Sequence, residues 1–174
     1  GLSAGDVTLS NGRMSVNDPT NTFSTTMQLK NASNALAHGN QLPDAMNFAR
    51  RGFEKDGNTL TGNVSQVVKS NSDFATASTK LVDVAGVDSL NGKQMVLNYT
   101  DKNGNKRTGT LNLDTTNTTF SIDLDGDGNT TDPNETFSIY NGSGDPLNLN
   151  TTADNMTYQQ LNDLISMATS GTLP

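Results

Sequence analysis

Alternating polar and apolar positions in the middle of the chain predict short antiparallel strands. Segments 94–99 and 107–113 flank Asn103-Gly104, and Asn-Gly between two strand patterns is a strong signal for a β-hairpin. A second pair of segments, 118–122 and 136–140, contains Phe-Ser-Ile in both arms, so the apolar residues of the two arms can share one buried face. Three shorter candidate strands precede these hairpins, at 65–69, 74–77 and 81–84.

Helical spacing of apolar residues occurs towards both ends of the chain. Asp18-Pro19 is a favourable helix opening and predicts a helix over 20–37, and a second helix is predicted over 43–53. The clearest helix is predicted over 157–169, where Thr157 and Gln160 form a capping-box pattern ahead of an apolar stripe.

These elements together predict an α+β fold. Its main part consists of antiparallel β-hairpins with a C-terminal helix packed on the sheet, and a helical segment precedes them. We divide the chain into a helical N-terminal lobe over 1–58 and a β-rich domain over 59–174. The pattern leaves open whether the first part is a separate lobe or a lid on the sheet.

Composition narrows the classes of function. The formal net charge of -7, with only 11 basic residues, argues against a nucleic-acid or anionic-membrane surface. Cysteine is absent, which excludes disulfides and thiolate metal ligands, and no apolar run approaches the roughly 20 residues that span a bilayer. The single histidine, His38, lies in a helix-terminal context, and no nucleophile or phosphate-loop motif occurs. We therefore expect a protein that is not an enzyme.

The strongest candidate for chemistry is the acidic loop over 123–135, between the two Phe-Ser-Ile arms. Its opening follows the pattern Asp-x-Asp-x-Asp-Gly, the first half of a calcium loop, in which alternate carboxylates converge and the glycine permits the chain to turn. Position twelve, where a bidentate acid is expected, is Asn134, and Glu135 follows one residue late. The predicted ligand set contains carboxylates and one main-chain carbonyl: Asp123, Asp125, Asp127, the Asn129 carbonyl, and Asp132 or Glu135 as the last acid.

Two interpretations of this loop remain open. In the first, it binds a structural Ca²⁺ that pins the hairpin, with the weak affinity of extracellular sites. In the second, it is a solvated turn, because Asp, Gly and Asn are the residues that tolerate turn dihedrals. A full EF-hand is not expected, because an EF-hand joins two helices and this loop joins two predicted strands.

The Asn/Thr-rich strands of 79–113 and the closing segment Met156-Thr157-Tyr158-Gln159-Gln160-Leu161 resemble the variable outer domains of flagellin-like proteins, in particular the hook-filament junction proteins among the flagellar hook-associated proteins. The resemblance covers roughly residues 60–174. It implies a non-enzymatic structural role, an extracellular location on the bacterial flagellum, and contacts with other flagellar subunits through regions outside this chain. The terminal apolar heptads of that family are absent. The chain also starts at Gly1 without methionine. For these two reasons we expect a monomeric outer domain taken from a longer protein.

A second class of function stays open beside this one. The acidic loop and the turn-rich composition also suit a calcium-stabilised adhesion or carbohydrate-binding module of a bacterial surface protein. The two classes differ in their flanking sequences. A flagellar domain would lie between helical heptads, whereas an adhesion module would lie among β repeats or next to a wall anchor.

Overall fold

Strands make up most of the regular structure in the computed structural model, which describes residues 6–17, 28–30, 53–56, 59–62, 64–100, 103–139 and 151–170. These residues form two antiparallel sheets, with strand orders β1-β2-β5-β4 and β3-β6-β7-β8-β9. The strand bounds are β1 Val7–Ser10, β2 Arg13–Asn17, β3 Gln28–Lys30, β4 Phe53–Asp56, β5 Thr59–Gly62, β6 Gln94–Thr100, β7 Lys106–Asn112, β8 Thr119–Ile122 and β9 Thr136–Ser138. The α-helices are α1 Leu81–Ala85 and α2 Tyr158–Ser170, and a 3-10 helix spans Ala153–Asn155.

The predicted hairpin around Asn103-Gly104 is confirmed. Strands β6 and β7 pair from Gln94↔Asn112 to Thr100↔Lys106, and Gly104 has a φ of 85°, which a glycine adopts without a steric penalty. The side chains of β6 at Met95 and Leu97 are fully buried. This hairpin forms the centre of the second sheet.

The Phe-Ser-Ile hairpin is also confirmed, as β8 and β9. Phe120 pairs with Phe137, and the two serines lie on the other face, where Ser121 Oγ is 3.0 Å from Thr136 Oγ1. Phe120 is fully buried, and Ile122 is also buried. The acidic loop is therefore held between two strands, as the sequence predicts.

The closing helix α2 begins at the predicted capping box. The Thr157 amide donates to Gln160 Oε1 at 2.9 Å, and the Gln160 amide donates to Thr157 Oγ1 at 3.4 Å, so both residues satisfy helix-terminal N–H groups. Tyr158 and Leu161 of the apolar stripe are fully buried. The helix contacts β1 of the first sheet and β6 of the second, so it packs against both sheets.

One hydrophobic core joins the two sheets and the helix, which supports the predicted α+β class. It includes Val7 and Val16 from the first sheet, Leu97 and Phe120 from the second, and Leu161 from α2. None of the helices in the described residues is long and apolar enough to cross a lipid bilayer.

The candidate strand at 81–84 is wrong, because Leu81–Ala85 is the helix α1. Its alternating Val-Asp-Val pattern suggested a strand, but Leu81, Val84 and Ala85 are buried at helical spacing. Gly86 ends the helix in the left-handed conformation, with a φ of 66°. The candidate strands at 65–69 and 74–77 form only an isolated bridge, Val67↔Phe74.

The helices predicted near the start of the chain are wrong where the structure describes them. Gln28–Lys30, inside the predicted helix 20–37, is strand β3 and pairs with β6, while Phe53 begins β4 instead of ending a helix over 43–53. The main-chain hydrogen bonds gained by strand pairing outweigh the weak helical amphipathicity of these segments. The other residues of both predicted helices lie outside the described residues.

The first 58 residues contribute strands to both sheets. β1, β2 and β4 belong to the first sheet, while β3 belongs to the second. The predicted boundary between residues 58 and 59 falls within the β4–β5 hairpin, where Asp56 pairs with Thr59.

Candidate metal centre

The acidic loop leaves β8 after Ile122 and enters β9 at Thr136. Its turns use left-handed backbone conformations, since Gly126 and Gly128 both have a φ of 87° and Asn134 has a φ of 71°. Glycine and asparagine adopt such angles most readily, so the spacing of these residues shapes the loop. Gly128 is the position that the calcium-loop pattern reserves for glycine.

Aspartate side chains organise the loop by accepting hydrogen bonds from its main chain. Asp123 Oδ1 accepts from the Gly126 amide at 2.6 Å, and its Oδ2 accepts from the Gly128 amide at 2.9 Å. Asp125 Oδ1 accepts from the Asp127 amide at 3.1 Å. Each carboxylate oxygen has two lone pairs, so these bonds leave acceptor capacity for a cation.

The loop brings its acids together in two groups that share Asp125. Asp123, Asp125 and Glu135 form one group, and Asp125, Asp127 and Asp132 form the other. In each group, one carboxylate oxygen from every member lies within 4.8 Å of the others. Either group can hold a metal ion, because hard cations such as Ca²⁺ take several oxygen ligands at 2.3–2.6 Å.

Glu135 differs from the other acids because it is buried, with only 3% of its surface exposed. Its Oε1 accepts from the Leu124 amide at 2.7 Å, whereas its Oε2 is buried and has no hydrogen-bond partner among the described residues. A buried carboxylate oxygen without a partner is unfavourable, and such oxygens are rare in folded proteins. An ion between Glu135, Asp123 and Asp125 would supply the missing interaction.

The electrostatic environment of the loop is strongly negative. Segment 123–135 contains five acids and no basic residue. The pKa of the Asp132 carboxyl is raised above its ordinary value of 3.8. Desolvation is the largest cause, followed by the charges of Asp127, Glu135, Asp125 and Asp123. A divalent cation would offset the repulsion among these carboxylates.

The structure groups the five acids of the predicted ligand set, and it shows that Glu135, not Asn134 at position twelve, is the acid directed at Asp123 and Asp125. Asn129, the remaining member, uses its side chain inside the loop, because Nδ2 donates to Asp132 Oδ1 and Oδ1 accepts from the Thr131 amide. The role of its main-chain carbonyl stays a prediction.

Two contacts at the base of the loop were not expected from the sequence. The Leu124 amide fixes the Glu135 carboxylate, and Arg107 of β7 donates from Nη1 to the Asp123 main-chain oxygen at 3.4 Å. Arg107 is accordingly only partly exposed. The β7–β8 register accounts for the second contact, because Gly109 pairs with Ile122 and Arg107 lies two residues earlier on β7, at the end where the loop begins.

The chain matches no protein-family model, no curated protein and no solved structure. The centre is therefore interpreted from its own geometry. That geometry consists of converging carboxylates on a glycine-shaped loop, together with one buried carboxylate oxygen that has no hydrogen-bond partner among the described residues.

Proposed function

We propose that this chain is a non-enzymatic structural domain whose β8–β9 loop binds a Ca²⁺ ion as a local clasp. The observation that carries the calcium site is the buried Glu135 carboxylate, whose Oε2 lacks a partner in the described structure and which faces Asp123 and Asp125. A solvated turn would leave its acids exposed to water. This loop instead buries one of them, and a bound cation would balance its charge.

The ligand chemistry favours calcium over a transition metal or magnesium. All of the donors are oxygens, and the chain has no cysteine and a single histidine outside the loop. Ca²⁺ accepts irregular shells of 6–8 oxygens, whereas Mg²⁺ demands a near-octahedral shell and retains its waters. Asp123, Asp125 and Glu135 form the proposed core of the site, and Asp127, Asp132 and the Asn129 carbonyl belong to the same predicted ligand set.

We further propose that the domain is an outward-facing part of a flagellar hook-filament junction protein, displayed on the cell exterior. The support is the sequence resemblance over 60–174, whose most specific segment forms α2. In this proposal the domain is a scaffold, and contacts with other flagellar subunits are made by regions outside this chain. The calcium ion would stabilise the scaffold at the calcium concentrations found outside cells.

The second candidate is a calcium-stabilised adhesion or carbohydrate-binding module. It is favoured by the exposure of Asp125 and Asp127 and by the 44% exposed Leu124, which place anionic and apolar groups together at one surface loop. The sequence of the complete gene separates the two candidates. Extended helical heptads on both sides support the flagellar domain, whereas tandem β repeats or a wall anchor would refute it in favour of the module.

Calcium binding is tested by calorimetry and by thermal unfolding at low salt. At a calcium concentration of about ten times the Kd, binding should add about 1.4 kcal/mol of stability. This corresponds to a rise of roughly 3–6 °C in Tm for a chain of this size. Asp125→Asn should weaken the response, because Asp125 belongs to both acidic groups. Asp88→Asn, which removes an exposed charge elsewhere, should retain it. Absence of a Tm shift at millimolar calcium in the unmodified protein would refute the site.

A further inference from the structure

We infer that cation binding at the loop controls the pairing of the edge strand β9, with Glu135 as the connecting residue. This inference rests on the proposed calcium site and adds a regulatory consequence to it. Glu135 is not at the tip of the loop but directly precedes Thr136, the first residue of β9. Its environment and the pairing of the strand therefore change together.

Strand β9 is held weakly on geometric grounds. It has three residues, stands last in the order β3-β6-β7-β8-β9, and among the described strands it pairs only with β8. Just before the strand, the Ile122 amide donates to the Glu135 main-chain oxygen at 2.8 Å. Short edge strands open more readily than central ones, because fewer main-chain bonds and buried contacts must break.

Pairing of β9 forces the Glu135 carboxylate into its buried position. The main-chain oxygen of Glu135 accepts from Ile122, while its side-chain Oε1 accepts from Leu124, so one residue is fixed to the end of β8 at two points. The charge then lies close to Asp123 and Asp125, and Oε2 is left unpaired among the described residues. Without a cation, burial and repulsion oppose pairing; with a cation, the same geometry favours it.

The two acidic groups are not equivalent in this respect. The members of the group Asp125, Asp127 and Asp132 all lie within the loop, and none of them adjoins β9 in sequence. The group containing Glu135 reaches the strand. The Glu135 group is therefore the one through which a cation acts on the sheet.

The opening should be local. Beyond β9, the Ile139 amide donates to the Thr118 oxygen at 2.9 Å, and Ile139 is buried in the core. This anchor limits the opening to 123–138 and leaves the β6–β7 pair intact.

Hydrogen exchange of the intact chain, with and without calcium, tests the inference after calorimetry has given the Kd. If the ion binds only the paired state, calcium at about ten times the Kd should slow exchange about tenfold at two amides, Ile122 and Phe137. Phe137 is the β9 residue whose amide the antiparallel register directs towards β8. The amides of β6 serve as an internal reference and should not change. In Glu135→Gln, a neutral side chain of the same shape, β9 should exchange more slowly than the unmodified protein without calcium and should respond little to calcium.

Each outcome of this experiment decides a separate point. Calcium binding by calorimetry with unchanged β9 exchange would overturn the inference and leave the proposed calcium site intact. Absence of binding would refute the calcium site itself and the inference with it. If the Gln variant does not fold, the exchange of the unmodified protein still decides, because the predicted slowing is measured there.

Discussion

Gly109 of β7 lies beneath the ring of Phe120, and replacing it with alanine should destabilise the domain. A Cβ built on Gly109 overlaps Phe120 Cζ and would lie 2.7 Å from Cε2 and 3.0 Å from Cε1. Phe120 is fully buried in the core, so its ring has little room to move away. The absence of a side chain at this one strand position makes space for the largest apolar residue of β8.

The expected loss follows from two opposing terms. Overpacking a filled core costs about 1–3 kcal/mol. Replacing glycine inside a regular element returns about 0.5–1 kcal/mol, because the unfolded chain has less freedom to lose. We therefore expect Gly109→Ala to lower the free energy of unfolding by about 1–2 kcal/mol. Urea unfolding should show this as a lower midpoint with an unchanged slope.

A double-mutant cycle with Phe120→Leu isolates the steric contact. Leucine removes the far end of the ring, so Gly109→Ala should cost less in that background than in the unmodified protein. Equal losses in the two backgrounds would show that the ring is not the cause. An unchanged or higher stability for Gly109→Ala alone would refute the packing argument altogether.

Three further predictions concern single side chains. Desolvation and then neighbouring charges such as Asp127 raise the pKa of Asp132, so its ionisation opposes folding. Asp132→Asn should therefore stabilise the calcium-free protein at neutral pH, which urea unfolding would measure. That gain should disappear as the pH falls below 3.8, where the carboxyl is protonated in both the folded and unfolded states. Thr157→Ala removes the hydroxyl that accepts from the Gln160 amide at the start of α2. The variant should lose about 1 kcal/mol of stability, measured by thermal unfolding. Tyr158→Phe removes the buried hydrogen bond to Gln66 Oε1 at 3.3 Å and should also cost about 1 kcal/mol in urea unfolding.

Each of these predictions has an outcome that contradicts it. A stabilisation by Asp132→Asn that persists below pH 3.8 would point to a cause other than its charge. For the cap, Gln159→Ala is the control on the same helix, because the Gln159 side chain is exposed and donates only to Asp163 among the described residues. The stability of this variant should stay within about 0.5 kcal/mol of the unmodified protein. Equal losses for the cap and control variants would contradict the capping role of Thr157. An unchanged stability for Tyr158→Phe would show that its hydroxyl contributes nothing net.

Local sequence signals were sufficient to predict the hairpins and the closing helix. Asn103-Gly104 and the paired Phe-Ser-Ile arms specify turns and faces within a few residues, and the β6–β7 and β8–β9 pairs follow them. The capping box at Thr157 likewise marks the start of α2 within one residue. The acidic loop was recognised because its ligand spacing is local as well.

Elements that depend on distant partners were not predictable in this way. Strand β3 exists because it pairs with β6, far along the chain, and nothing in its own sequence outweighs a helical pattern. The short helix α1 is similarly fixed by distant contacts, including the bond from the Leu81 amide to the Met156 oxygen at 2.9 Å. The burial of Glu135 also arises from the sheet. The sequence places Glu135 among the acids, but only the three-dimensional arrangement shows that its Oε2 has no partner among the described residues.

The contact between β1 and α2 has a consequence for how the domain folds. Val7 of β1 and Leu161 of α2 belong to one core although nearly the whole described chain separates them. Closing so large a loop carries a high entropic cost before any packing is gained, so contacts of this kind slow folding. During synthesis, the first strand must wait for the last helix to emerge before the core is complete. The domain should therefore acquire its stability late and in one step.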